Sequence, residues 1–290
     1  MPTFPGHALG CVMQDAFAYC AELVRQADRD RFLASLFAPA EHRDALHALY
    51  AFNVEVTRVR EAAREVLPGE IRLQWWTDVL SGERSGEAGA NPVAAALLAT
   101  IAQHGLATGP LLDLIEARRF DLYDEPMADI AELETYAKQT SSVLFAAAAQ
   151  ILGGGAAEAV SEPAGVAETI THLLQSLSIH AARNQLYVPL EILERHEVTP
   201  NQVLAGQSTP GLKQALAEFR TLARSHLATL AERVPTSPRE ALPAFLPLAL
   251  VRPSLDRLER GDPFTPTVLS PWRRQWLIWR ASRNPARIAG

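Results

Sequence analysis

The sequence is poor in the features that mark most functional classes. Only two cysteines occur in 290 residues, too few for a disulfide framework. Cys11 and Cys20 fall in one expected helix, at a poor separation for bridging, so a reducing compartment is the simpler setting. Positive charge is not in excess either: 27 Lys and Arg stand against 33 Asp and Glu, for a net charge of -6. Phosphate-backbone binding draws on clustered Lys and Arg that displace counterions, which argues against nucleic acid as a partner.

No run approaches the roughly 18 apolar residues that a membrane crossing needs. The longest candidate, Val143 to Leu152, is Ala-rich and too short, and Met1 to Gly10 lacks the basic-then-apolar order of a signal peptide. The expected location is the cytoplasm, or the periphery of a membrane on its inner face. Catalytic signatures are missing as well: there is no phosphate-cradling glycine loop, paired-cysteine zinc site, His-Glu-x-x-His helix or Gly-x-Ser-x-Gly elbow.

Strand-like alternation is scarce, whereas apolar residues recur every three or four positions almost throughout. The pattern predicts an all-α protein with helices near Gln14–Arg29, Glu41–Val66, Glu70–Leu80, Pro92–His104 and Pro110–Asp124. Further helices are expected near Ile130–Leu152, Pro163–Ala182, Pro210–Val234, Pro238–Arg260 and Pro271–Arg283. Ser81–Asn91 and Gly153–Gly155 read as turns, and no linker or repeat divides the chain, so residues 1–290 read as one helical domain.

Several segments carry chemistry-bearing residues in a recognisable order: RFLASLFAPAEHRDALHALYAF at Arg31–Phe52, RLQWWTDVL at Arg72–Leu80 and NPVAAAL at Asn91–Leu97. LLDLIEARRFDL at Leu111–Leu122 and LYVPLEILERHEVT at Leu186–Thr199 follow. Together they resemble the squalene/phytoene synthase family over roughly Gln14–Leu204. The resemblance implies an all-α isoprenoid-synthase fold with a central cavity, in which active members join two prenyl diphosphates head to head.

Ionising a diphosphate calls for several Mg²⁺ ions held by carboxylate oxygens at helix-turn spacing, and the family supplies them from two aspartate-rich helices. Here the positions matching the first motif are Thr57, Arg58 and Glu61, so one carboxylate of three is kept. Those matching the second are Gln175, Ser176, Ile179 and His180, with no acid among them. Arg58 and Arg60 bring positive charge where a metal cluster needs negative charge. No catalytic residue, metal or cofactor is therefore expected; Mg²⁺ would enter only if the chain were an active prenyltransferase on farnesyl or geranylgeranyl diphosphate, which is the alternative reading.

The replacements are themselves patterned. Asn53, Thr57, Arg60 and Glu61 share one helical face, and His172, Ser176 and His180 repeat every four residues on another. Two polar stripes facing a shared cavity would form a vestigial pocket for a neutral or anionic lipid-like ligand, with Arg58 or Arg60 meeting the anion. The plain alternative pairs Glu61 with Arg64 or Arg58 and leaves the histidines to satisfy neighbours. Tyr50, Trp75, Trp76 and Asp121 are further pocket candidates: one of the two tryptophans is expected in the core and the other on the former prenyl cavity. Asp121 is expected to cap or to pair with Arg118 rather than to bind a metal.

AFNVE at Ala51–Glu55 together with HAARNQLYVP at His180–Pro189 is similar to the branch of the family that includes the mitochondrial assembly factor of respiratory complex I, a branch likewise lacking the aspartates. That resemblance implies a role in assembling NADH:quinone oxidoreductase, with a complex I subunit or assembly intermediate as partner and an isoprenoid or lipid as ligand. The C-terminal Pro271–Gly290 carries five arginines and no acid. There Trp272, Trp276 and Trp279, flanked by Arg273, Arg274 and Arg280, are expected either to rest on an anionic membrane or to pack in the core with snorkelling arginines.

Overall fold

The computed structural model describes residues 6–62, 65–155 and 157–290, and every regular element among them is helical, with no strand. The all-α expectation holds. In chain order the α-helices are α1 (Gly6–Ala27), α2 (Arg29–Ser35), α3 (Ala40–Thr57), α4 (Val59–Ala62), α5 (Val66–Leu80), α6 (Ser85–Ala88), α7 (Pro92–His104), α8 (Thr108–Arg118) and α9 (Ile130–Ala137). They continue with α10 (Val143–Ile151), α11 (Glu158–Gln175), α12 (Leu177–Ala182), α13 (Leu190–Arg195), α14 (Pro200–Leu204), α15 (Pro210–Arg233), α16 (Leu242–Phe245), α17 (Val251–Arg260) and α18 (Pro271–Arg283).

Local chemistry sets many of these boundaries. Asn91 opens α7 by accepting hydrogen bonds from the Val93 and Ala94 amides at 2.9 and 3.0 Å, Pro92 follows where its missing N–H is harmless, and Gly105 closes the helix at φ 61°. Thr209 and Pro210 open α15 in the same way, the threonine hydroxyl accepting from the Leu212 amide at 3.1 Å.

Four expected helices are broken or shifted, each for a local reason. Asp28 leaves helical geometry at φ -134° and caps α2 through the Arg31 amide, which separates α1 from α2. The expected Glu41–Val66 helix stops at Thr57, and α5 starts before Pro68, which cannot donate into a preceding turn. α11 begins at Glu158, so Pro163 lies inside it; the Ala159 carbonyl that proline leaves without an N–H is taken by Arg233 at 2.6 Å. The expected Pro238–Arg260 helix is a run of 3₁₀ turns and short helices, because Pro243, Pro247 and Pro253 each remove a donor.

The helices bury one continuous apolar core that extends from Ala16 to Ala289, with Phe52, Phe219 and Phe245 among its fully enclosed side chains. Each such side chain contributes about 1.5–3 kcal/mol over its exposed state. Helices α9 and α10 form one rod interrupted by a π-helical turn at Lys138–Ser142. There α11 crosses so closely that a Cβ at Gly165 would meet the Ser142 amide nitrogen at 2.3 Å, which only glycine avoids.

Candidate functional site

The two polar stripes face one cleft. Asn53, Thr57 and Glu61, around the end of α3, stand with His172 of α11 on the walls of a space of about 370 Å³. A connected lobe of about 220 Å³ adds Arg60, Ser176, His180 and Arg183. The kink at Ser176, φ -99°, does not break the stripe: its amide donates to the His172 carbonyl at 3.0 Å and the His180 amide donates to the Ser176 carbonyl at 2.9 Å.

The floor of the cleft is a buried ion triad. Arg31 donates to Asp28 at 2.7 Å and to Glu168 at 2.5 Å, locking α2 to α11. Burial opposes charge here, but Glu168 and Asp28 hold the Arg31 guanidinium well above its ordinary value. Burial also pulls the Asp28 carboxyl upward, and Arg31, through charge and hydrogen bonding, brings it below the usual carboxylate range. Tyr50 stays in the core, with the Arg31 guanidinium 5.7 Å from its ring centroid. Sequence reasoning missed the triad, although Glu168 lies one turn before His172 and would have extended the stripe.

The second lobe is built on Asp121. One carboxylate oxygen accepts from Tyr136 at 2.8 Å and Tyr187 at 2.7 Å, and the other accepts from Arg118 at 3.1 Å. Gln185 donates to the Asp121 carbonyl at 2.9 Å. Burial, reinforced by the neighbouring carboxylate, holds both phenols above their ordinary value, so they act as neutral donors. His180 packs on Tyr187 with ring centroids 4.6 Å apart, and burial pushes its pKa down to about 4.

The charges expected to meet a ligand are mostly engaged. Glu61 pairs with Arg183 across the cleft at 3.4 Å, not with Arg58; Arg64 lies outside the described residues. Arg60 is turned to Asp124 at 3.1 Å, while Arg58 has no ion pair among the described residues. Gln175 lines a small recess of about 80 Å³ together with the triad, and Ile179 is turned to solvent. Trp75 and Trp76 stand on a separate cavity, not on this cleft.

These residues do not fit a Mg²⁺ cluster. The one carboxylate at the motif positions is occupied by a guanidinium, Asp28 and Glu168 are held by Arg31, and among the described residues no three His, Cys, Asp or Glu side chains converge as metal ligands.

On α18 the core contact is made by Ile278 and Ala281, which leaves Trp272, Trp276 and Trp279 exposed at 82%, 50% and 53%. Arg280 lies over the Trp276 ring at 5.0 Å, and Arg273 is exposed. Arg274 differs from its expected place beside the tryptophans: Asp30 captures it in a two-pronged ion pair, with its Nε donating at 2.8 Å. No helix among the described residues is long and apolar enough to cross a membrane.

The chain is similar in sequence and in fold to several known proteins. The chain is 30% identical over 257 residues to the rat NADH dehydrogenase (ubiquinone) complex I assembly factor 6, covering 88% of this chain and 77% of that one. The human protein of the same name is 30% identical over 246 residues, covering 84% and 74%. A 15-cis-phytoene synthase from Synechocystis is 24% identical over 266 residues, covering 86% and 78%. Among solved structures, a dehydrosqualene synthase in complex with ligand superposes with a TM-score of 0.81 at 17% identity, over 93% of this chain and 96% of that one. Residues 24–280 match the squalene/phytoene synthase family profile, and the chain belongs to that family.

Proposed function

We propose that this chain is a non-catalytic member of its family that acts in the assembly of NADH:quinone oxidoreductase. Its cleft would hold an isoprenoid or another lipid by the head group, and α18 would rest on an anionic membrane from the inner face. The observation that carries this reading is Glu61: the single carboxylate kept at the motif positions faces the Arg183 guanidinium, and among the described residues it is not joined by further acids that could share a metal. Similarity to relatives named as complex I assembly factors supports the assembly role. The exposed tryptophans of α18, on a segment with arginines and no acid, support the membrane contact.

Two measurements test it. Purified protein incubated with Mg²⁺ and farnesyl or geranylgeranyl diphosphate is expected to release no pyrophosphate above background; turnover that is lost in Glu61→Ala would establish the prenyltransferase alternative instead. Deleting the gene in its host is expected to lower the amount and activity of NADH:quinone oxidoreductase, and unchanged levels would reject the assembly role.

A further inference from the structure

One face further round α3, a separate cavity of about 390 Å³ opens between α1, α3 and α5. Its volume lies within the ~300–1,000 Å³ of small-molecule sites. Three features of its wall point to one kind of ligand.

The first is a braced aromatic platform. Phe52, fully buried, meets Trp76 edge to face at 5.0 Å, and Trp76 in turn meets Trp75 edge to face at 5.1 Å. Trp75 is thereby fixed by core packing while remaining on the cavity wall, so a ring that stacks on it meets a surface already ordered. Tyr19, half exposed, stands on the same wall.

The second feature is charge. Arg58 and Arg72 both line the cavity, and neither is ion-paired among the described residues. The one carboxylate on the wall is Glu55, so the site is locally cationic in a protein of net charge -6. Guanidinium groups take phosphate oxygens through paired N–H donors. The third feature is the acceptor edge: Glu55 is hydrogen-bonded to Asn91, feels the charge of Arg72, and lines the same wall, where it can accept from a hydroxyl or amino group.

We propose that this cavity binds a phosphate monoester that carries a planar aromatic or heteroaromatic ring, with the ring on Trp75 and the phosphate between Arg58 and Arg72. The proposal does not rest on the assembly reading; the cavity adjoins the cleft, with Val54 and Arg58 lining both spaces, whereas Trp75 and Arg72 line this cavity and not the cleft.

The test titrates the full chain with AMP and with 1-naphthyl phosphate, following tryptophan emission and binding heat. The expected result is saturable binding at one site by at least one of the two. Adenosine and inorganic phosphate should bind at least about tenfold more weakly, because each lacks half of the recognition. The R58Q/R72Q double variant should weaken binding by about tenfold or more, as loss of charged hydrogen bonds does. Both arginines are exposed, so the fold should survive, which circular dichroism checks. In Trp75→Phe the emission change should shrink to what Trp76 reports while the binding heat persists. Absence of binding by both ring phosphates, equal binding of inorganic phosphate, or unchanged affinity in the double variant would overturn the proposal.

Discussion

Arg183 reaches across the cleft to Glu61, both of its terminal nitrogens 3.4 Å from the same carboxylate oxygen. The contact joins the end of the first degenerate segment to the chain just past His180, so a guanidinium of the protein itself neutralises the one carboxylate kept at the motif positions. Both side chains are about half exposed, at 40% and 53%, so the pair contributes at most ~1 kcal/mol. Arg183→Gln should therefore shift the urea midpoint only slightly. A loss above ~2 kcal/mol would show that the pair is structural rather than a bridge over the cleft mouth.

Asp121→Asn should be far more damaging. It leaves Arg118 buried without its ion partner and weakens an acceptor shared by two phenols. Breaking a buried pair by removing one member costs about 3–5 kcal/mol. Urea unfolding should register the loss, and a cost below ~1 kcal/mol would mean that the cleft lobe does not rest on this carboxylate.

The stripes of this cleft are legible in the sequence because residues four apart on a helix share a face, so Asn53 with Thr57, and His172 with Ser176 and His180, announce themselves locally. The partners that neutralise them do not. Glu61 and Arg183 are separated by 122 positions, and Arg31 and Glu168 by 137. No local period encodes such pairings; they exist only once α2, α3 and α11 have packed. The opposite failure occurs at Pro238–Arg260, where apolar spacing suggested one helix and the missing proline donors prevent it. Helices α13 and α14 were missed because five or six residues are too few to show a period.

Acid should probe His180 selectively. Burial holds its folded pKa at about 4, below the ~6.5 of an unfolded histidine. The unfolded chain thus takes up the proton first, so this contribution is complete above pH ~6.5 and is lost as pH falls toward 4. The expected loss is on the order of 2–3 kcal/mol over that window. Unfolding free energies compared between the native chain and His180→Gln should converge at low pH, and parallel profiles would contradict the assignment.

The tryptophans of α18 offer a separable measurement. Because the buried contacts of this helix come from Ile278 and Ala281, replacing Trp272, Trp276 and Trp279 together with alanine should leave the thermal melt nearly unchanged. Flotation with vesicles of anionic lipid should fall at least tenfold through loss of aromatic anchorage, although the arginines, worth about 1 kcal/mol each near the surface, are kept. Flotation that persists in the triple variant would reject the proposed role of these tryptophans in membrane contact.

The wide turn at Lys138–Ser142 works as a phase shift along the rod that contains it. An inserted residue advances everything beyond it by about 100°, so Tyr136 on one side can turn its hydroxyl to Asp121 while Phe145 on the other stacks against Phe245 at 5.6 Å. A regular helix of the same sequence could satisfy one of these orientations but not both. Deleting Gln139 alone would uncouple the cleft from the core without removing any side chain that lines the cleft.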